Sequence, residues 1–130
     1  MRFTVDTTSS IPIYAQLVEQ VKHEIAAGSL VHGDALPSLR EVALRLRINP
    51  LTVKKAYGEL ETLGIVATEH GRGTVISSAS QMFSEQYRKA ALAQAIDRML
   101  IEAYHLGASA GDIDELVRER RQVLNGEELS

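Results

Sequence analysis

No cysteine and no tryptophan occur among the 130 residues, and aromatic side chains make up only 5%. Without cysteine there are no disulfides, no thiol nucleophile and no zinc site built on thiolates. With so few aromatic rings, the stacking platforms that hold single-stranded nucleic acid are poorly supplied. No apolar run approaches the roughly 18 residues of a membrane span, so no membrane partner is expected. The opening segment MRFTVDTTSS lacks the basic-then-apolar order of a signal peptide, which makes the cytoplasm the expected compartment. His23, His32, His70 and His105 lie scattered without metal-ligand spacing, and no Ser/His/Asp set can be assembled. Asp112, Asp114 and Glu115 read as the acidic first turn of a helix rather than as an acid pair for catalysis. No metal, no cofactor and no enzymatic activity are expected.

What the chain does contain is ordinary for a folded protein, with 45% hydrophobic and 24% charged residues. The length allows one domain, or a small domain with an appendage. The net charge of −3 is unevenly spread. Residues 1–76 carry eight cations and eight anions, whereas residues 77–130 carry six and nine. Between positions 34 and 55, Arg40, Arg45, Arg47, Lys54 and Lys55 stand against only Asp34 and Glu41. Such a grouping suits a phosphate-facing patch and equally a solvated helical face, and charge alone does not decide between them.

Residues 1–10 read as an arm or short strand. Ser10 ahead of Ile11-Pro12 suits a helix start, and Ile13, Leu17, Val21 and Ile25 then recur at helical spacing until Gly28. Residues 29–37 are turn chemistry. Ser38-Leu39-Arg40-Glu41 predicts a capped second helix, in which Ser38 and Glu41 can bond each other's amides. Asn49-Pro50 starts a third helix with Val53, Ala56, Tyr57, Leu60 and Leu63 as its buried stripe. Two short helices across a turn of three or four residues have helix-turn-helix spacing. After Gly64 the β-branched runs 65–68 and 74–76 flank His70-Gly71-Arg72-Gly73, which predicts a hairpin, or wing. Residues 77–80 read as a linker. A long helix over about 81–106 and a last helix capped by Ser109 and Asp112 follow, with apolar faces too rich to leave in water. The expected fold is therefore mainly α with a small β-hairpin. A winged helix-turn-helix at residues 1–77 precedes a two-helix dimerisation region at residues 78–130.

The segments Ile11–Leu17, Gly33–Glu41, Ile48–Val53, Ala56–Glu61 and His70–Thr74 are similar to the DNA-binding domain of the GntR family of transcriptional regulators. The short two-helix tail resembles the YtrA-like subfamily. That resemblance implies a homodimeric regulator, most often a repressor, with double-stranded DNA as partner and the third helix in the major groove. It places Arg40 where a base is read, which suits the guanidinium fork. It puts Asn49, Thr52, Lys54 and Lys55 on the recognition helix, and Gly71 and Arg72 at the wing tip in the minor groove. Position 51 departs from the subfamily, with Leu where Asn is frequent. The residues themselves admit plainer roles for several of these. Asn49 is also a helix cap, Thr52 can bond back along its helix, and Arg45 and Arg47 read as solvated or phosphate-touching. Arg72, between two glycines, has no evident packing role. Tyr14 and Tyr57 read as core aromatics. The expected function is sequence-specific binding of an inverted-repeat operator. The alternative is a winged-helix protein-interaction module, and a small-molecule effector at the tail or dimer junction stays open.

Overall fold

The computed structural model describes residues 1–129, in the order α1 (Ile13–Ala26), α2 (Leu39–Leu46), α3 (Pro50–Thr62), β1 (Val66–Glu69), β2 (Gly73–Ile76), α4 (Ser80–His105) and α5 (Ala110–Leu129). The mainly helical winged architecture expected from the sequence is the one observed. The chain divides into two compact units, Met1–Lys89 and the residues from Ala90 onward.

In the first unit α1, α2 and α3 enclose one core. Leu17, Val21 and Ile25 of α1, Val42 of α2, and Val53, Ala56 and Leu60 of α3 all belong to it. Leu60 is fully buried, so its truncation to Ala would cost about 2–5 kcal/mol. Leu63 is exposed rather than part of this stripe, because the helix stops at Thr62 and Leu63 is already its C-cap residue. The strands pair antiparallel with Val66 opposite Ile76 and Glu69 opposite Gly73. Val66 and Ile76, opposite each other in the register, lay one face of the hairpin on the core, which a two-stranded ribbon needs for stability.

Three local features differ from the sequence reading. Ser10 does not cap α1: the N-cap residue is Pro12, and no side chain caps the helix there. Gln16 of the first turn donates to the Ile11 carbonyl, which ties the preceding chain to the helix but caps none of its free amides. The arm is not a strand, yet it is held like one. Gln20 exchanges bonds of 2.9 and 2.6 Å with the Thr4 amide and carbonyl, and Gln16 does the same with Asp6 at 2.8 and 3.0 Å. Two side-chain amides one helical turn apart thus satisfy backbone that would otherwise need a neighbouring strand. Phe3 anchors the arm with its side chain fully buried. Lastly, residues 33–36 form more than a turn. The Gly33 and Leu36 amides donate to Ile76 and Thr74, and the Ile76 amide donates to Asp34, so the segment lines the free edge of β2.

The beginning of α4 packs on the first unit, with Phe83 against the core and Ser84 donating to the Ile25 carbonyl. Tyr87 donates to Glu19. In the second unit α5 starts with a reciprocal cap, as its sequence predicts. The Asp112 amide donates to Ser109 Oγ and the Ser109 amide to Asp112 Oδ2, both at 3.1 Å.

Candidate nucleic-acid interface

The helix-turn-helix is built by two caps around a three-residue turn. Ser38 Oγ accepts from the Glu41 amide at 3.1 Å and starts α2. Asn49 Oδ1 accepts from the Leu51 amide at 2.9 Å, with Pro50 as the first residue of α3. Between them, Arg47 closes α2 in the left-handed region at φ 57°, the one non-glycine residue with positive φ among those described. A cation is held there although glycine fits that conformation without strain.

These caps set what each expected contact residue can do. Arg40 lies exposed in the first turn of α2. On α3, Lys54 and Lys55 are exposed on the side away from buried Val53, Ala56, Tyr57 and Leu60. Thr52 is half-buried, and Asn49 is exposed while serving as the cap. Lys55 is not a free surface lysine, since its Nζ sits 3.9 Å from the centroid of the Tyr14 ring. That cation–π contact holds the side chain against α1.

The wing tip carries Gly71 and Gly73 at φ of +79° and +76°, with open space around both. A side chain at either position would be strained there, so the turn from Glu69 to Gly73 needs them. Arg72 between them has a packing role that the sequence did not disclose. Its guanidinium donates to Glu69 Oε2 at 3.1 Å and to the Gly33 carbonyl at 2.7 Å. It thereby ties the wing to the 33–36 segment. Arg45 is likewise engaged, donating to the Phe3 carbonyl. Both partners lie about 40 residues away in sequence, a separation no local pattern reports.

A cleft of about 580 Å³ joins these parts, lined by Pro37, Ser38 and Leu39 at the start of α2, by Tyr57, and by Arg72–Thr74 of the wing. Tyr57 donates to the Pro37 carbonyl at 2.7 Å. Burial, and then the nearby Glu41 carboxylate, push its phenol well above the usual tyrosine range, so it stays a neutral donor. No group of His, Asp or Glu suited to a metal occurs among the described residues, and none of their helices is long and apolar enough to cross a membrane.

Comparison with known proteins supplies the context for this geometry. Residues 13–76 match the bacterial regulatory proteins of the gntR family. The chain is 36% identical over 115 residues to the HTH-type transcriptional repressor YtrA of Bacillus subtilis (strain 168), an alignment covering 88% of each protein. Among solved structures it resembles a transcriptional regulator from Oenococcus oeni, with a TM-score of 0.75 and 35% identity over 88% of this chain and 95% of that one. It also resembles the DBD of AraR in complex with an operator, with a TM-score of 0.50 and 25% identity over 58% of this chain and 93% of that one. The chain belongs to the gntR family of bacterial regulatory proteins and is a transcriptional regulator, not an enzyme.

Proposed function

We propose that the chain is a homodimeric repressor that binds an inverted-repeat operator in double-stranded DNA. Residues 1–77 would read one half-site each, and residues 78–130 would pair two copies. The observation that carries the reading is the capped α2–turn–α3 unit, which leaves Arg40, Arg47 and Lys54 exposed, with Lys55 held over Tyr14, while Val42, Val53, Ala56 and Leu60 are buried. The likeness to an operator-bound DBD supports placing α3 in the major groove and the Gly71-Arg72 tip in the adjacent minor groove. Arg40, Asn49, Thr52, Lys54, Lys55, Gly71 and Arg72 are the proposed contact residues.

The second unit supports the pairing. Leu92, Ile96, Met99, Ala103 and Leu106 follow one another at steps of four, three, four and three, the rhythm of a coiled-coil seam. Four of the five are exposed, and Ala103 is half-buried. Met99, Ala103 and Leu106 also line an open apolar cleft of about 460 Å³ with Ile113, Leu116 and Leu124 of α5. A helix pair with that much apolar surface in water is best satisfied by a second copy, and a two-fold axis then matches the symmetry of the operator. In this reading the partner copy fills the cleft.

Selection of duplexes from a random pool with the full chain, repeated across a salt series, tests the proposal. The expected result is an inverted repeat preferred over random duplex, with affinity falling by a slope of about −0.9 per neutralised phosphate. Binding indifferent to sequence would overturn it and favour the protein-interaction alternative.

A further inference from the structure

We propose that Leu51 is a specificity residue that reads thymine through its C5-methyl group in the major groove. The inference rests on the DNA-binding reading above and adds to it the chemistry of one base position. Leu51 is the second residue of α3, and its amide is fixed by the Asn49 cap at 2.9 Å. Its side chain is 68% exposed, although a leucine in the first turn of a helix has ample opportunity to turn into a core. It cannot do so here, because Val53, Ala56, Tyr57 and Leu60 define the buried side of α3. Leu51 instead heads the opposite stripe with Lys54, Lys55 and Gly58, at helical steps of three, four and seven. Gly58 gives that stripe a stretch without side chain and with nothing within 4 Å of where a Cβ would stand.

A surface that combines one large apolar side chain with two cations fits a partner with the same mixture. The major groove supplies phosphates at its rim, and the thymine methyl is its one apolar group on a base edge. Leu has neither donor nor acceptor. Opposite guanine, adenine or cytosine it would cover polar edge groups without replacing their bonds to water, which disfavours those bases. Leu44 is also exposed but stands on α2 and outside the α3 stripe with Lys54 and Lys55, while Ile11 and Leu63 lie outside the α2–turn–α3 segment altogether.

The experiment uses the duplex recovered by selection with the full chain. Each thymine of a half-site is replaced in turn by deoxyuridine, which removes the methyl and keeps every hydrogen-bonding group. For the wild type, one replacement should weaken binding about fourfold, the value of one buried methyl-sized group. Leu51→Ala should be indifferent at that position, and Leu51→Met, which keeps an apolar reach, should retain the sensitivity. A half-site without thymine, no sensitive thymine in the wild type, or a penalty that persists undiminished in Leu51→Ala would overturn the proposal while leaving the operator reading intact. A wild type that selects no sequence at all would instead bring down the operator reading, and this inference with it.

Discussion

Replacement of Arg72 by alanine separates two roles that the structure gives to one side chain. In the free protein its guanidinium bridges Glu69 and the Gly33 carbonyl. The ion pair is half open to water, with side chains 55% and 46% exposed, so it contributes roughly 0–1 kcal/mol. The bond to the carbonyl adds about 1 kcal/mol, which limits the stability loss of Arg72→Ala to about 2 kcal/mol. A tether that weak can be given up when phosphates or a narrow groove compete for the cation. If both wings of a dimer engage DNA, the substitution removes two counterion-releasing contacts and flattens the salt slope by about 1.8. The advantage of wild type over Arg72→Ala should therefore shrink about tenfold between 50 and 200 mM salt. Fluorescence anisotropy across that range measures it, with thermal melts as the control. Glu69→Gln should act in the opposite sense, freeing Arg72 and raising affinity by at most about fivefold. An unchanged salt slope for Arg72→Ala, together with a lowered Tm, would refute the groove contact and leave Arg72 as a strut between wing and edge segment.

Leu116→Asp places an unpaired charge in each copy of the proposed pairing surface and should weaken dimerisation by at least about 3 kcal/mol. Sedimentation velocity would show this, and an undiminished dimer would move the interface elsewhere. Arg47→Gly relieves a left-handed backbone and should stabilise the fold by up to about 1 kcal/mol in denaturant melts. It should also weaken DNA binding, and a variant that gained stability without losing affinity would remove Arg47 from the contact surface. Asp112 is held below the ordinary aspartate value of 3.8 by its bond from the Ser109 amide and then by the Ser109 side chain. Its cap on α5 is thus fully present above that value and is lost as the pH falls through the depressed one. Protection of the Ser109 amide from exchange should persist to below pH 3.8, and earlier loss would contradict the reciprocal cap.

How far the fold could be read from the residues depended on the range of the interaction. Ser38 with Glu41, Asn49 with Pro50, and Ser109 with Asp112 are caps within three positions of one another and each starts its helix, although Ser38 only accepts from the Glu41 amide and the expected return bond from the Ser38 amide to Glu41 is not made. The 33–36 edge was read as turn because its pairing with β2 is made by backbone groups, which leave no signature in side-chain pattern. The arm was read as a possible strand because its partners are side chains of α1 rather than another strand. At the candidate interface, Arg40 and Lys54 lie exposed on the helices that the sequence assigned them to. The tie of Arg72 to Gly33 and the seat of Lys55 over Tyr14 join residues about 40 apart, and only the folded chain brings them together.

The anchored arm also governs how the protein can be handled. Phe3 is locked into the core, and Met1 forms part of the same cleft as Pro37–Leu39 and Arg72–Thr74. A purification handle fused ahead of Met1 would therefore emerge at the mouth of the surface proposed to meet DNA. A basic handle there would lend the fusion affinity of its own, and a bulky one would obstruct the wing. Binding measured on such a fusion would report on the handle as much as on the regulator.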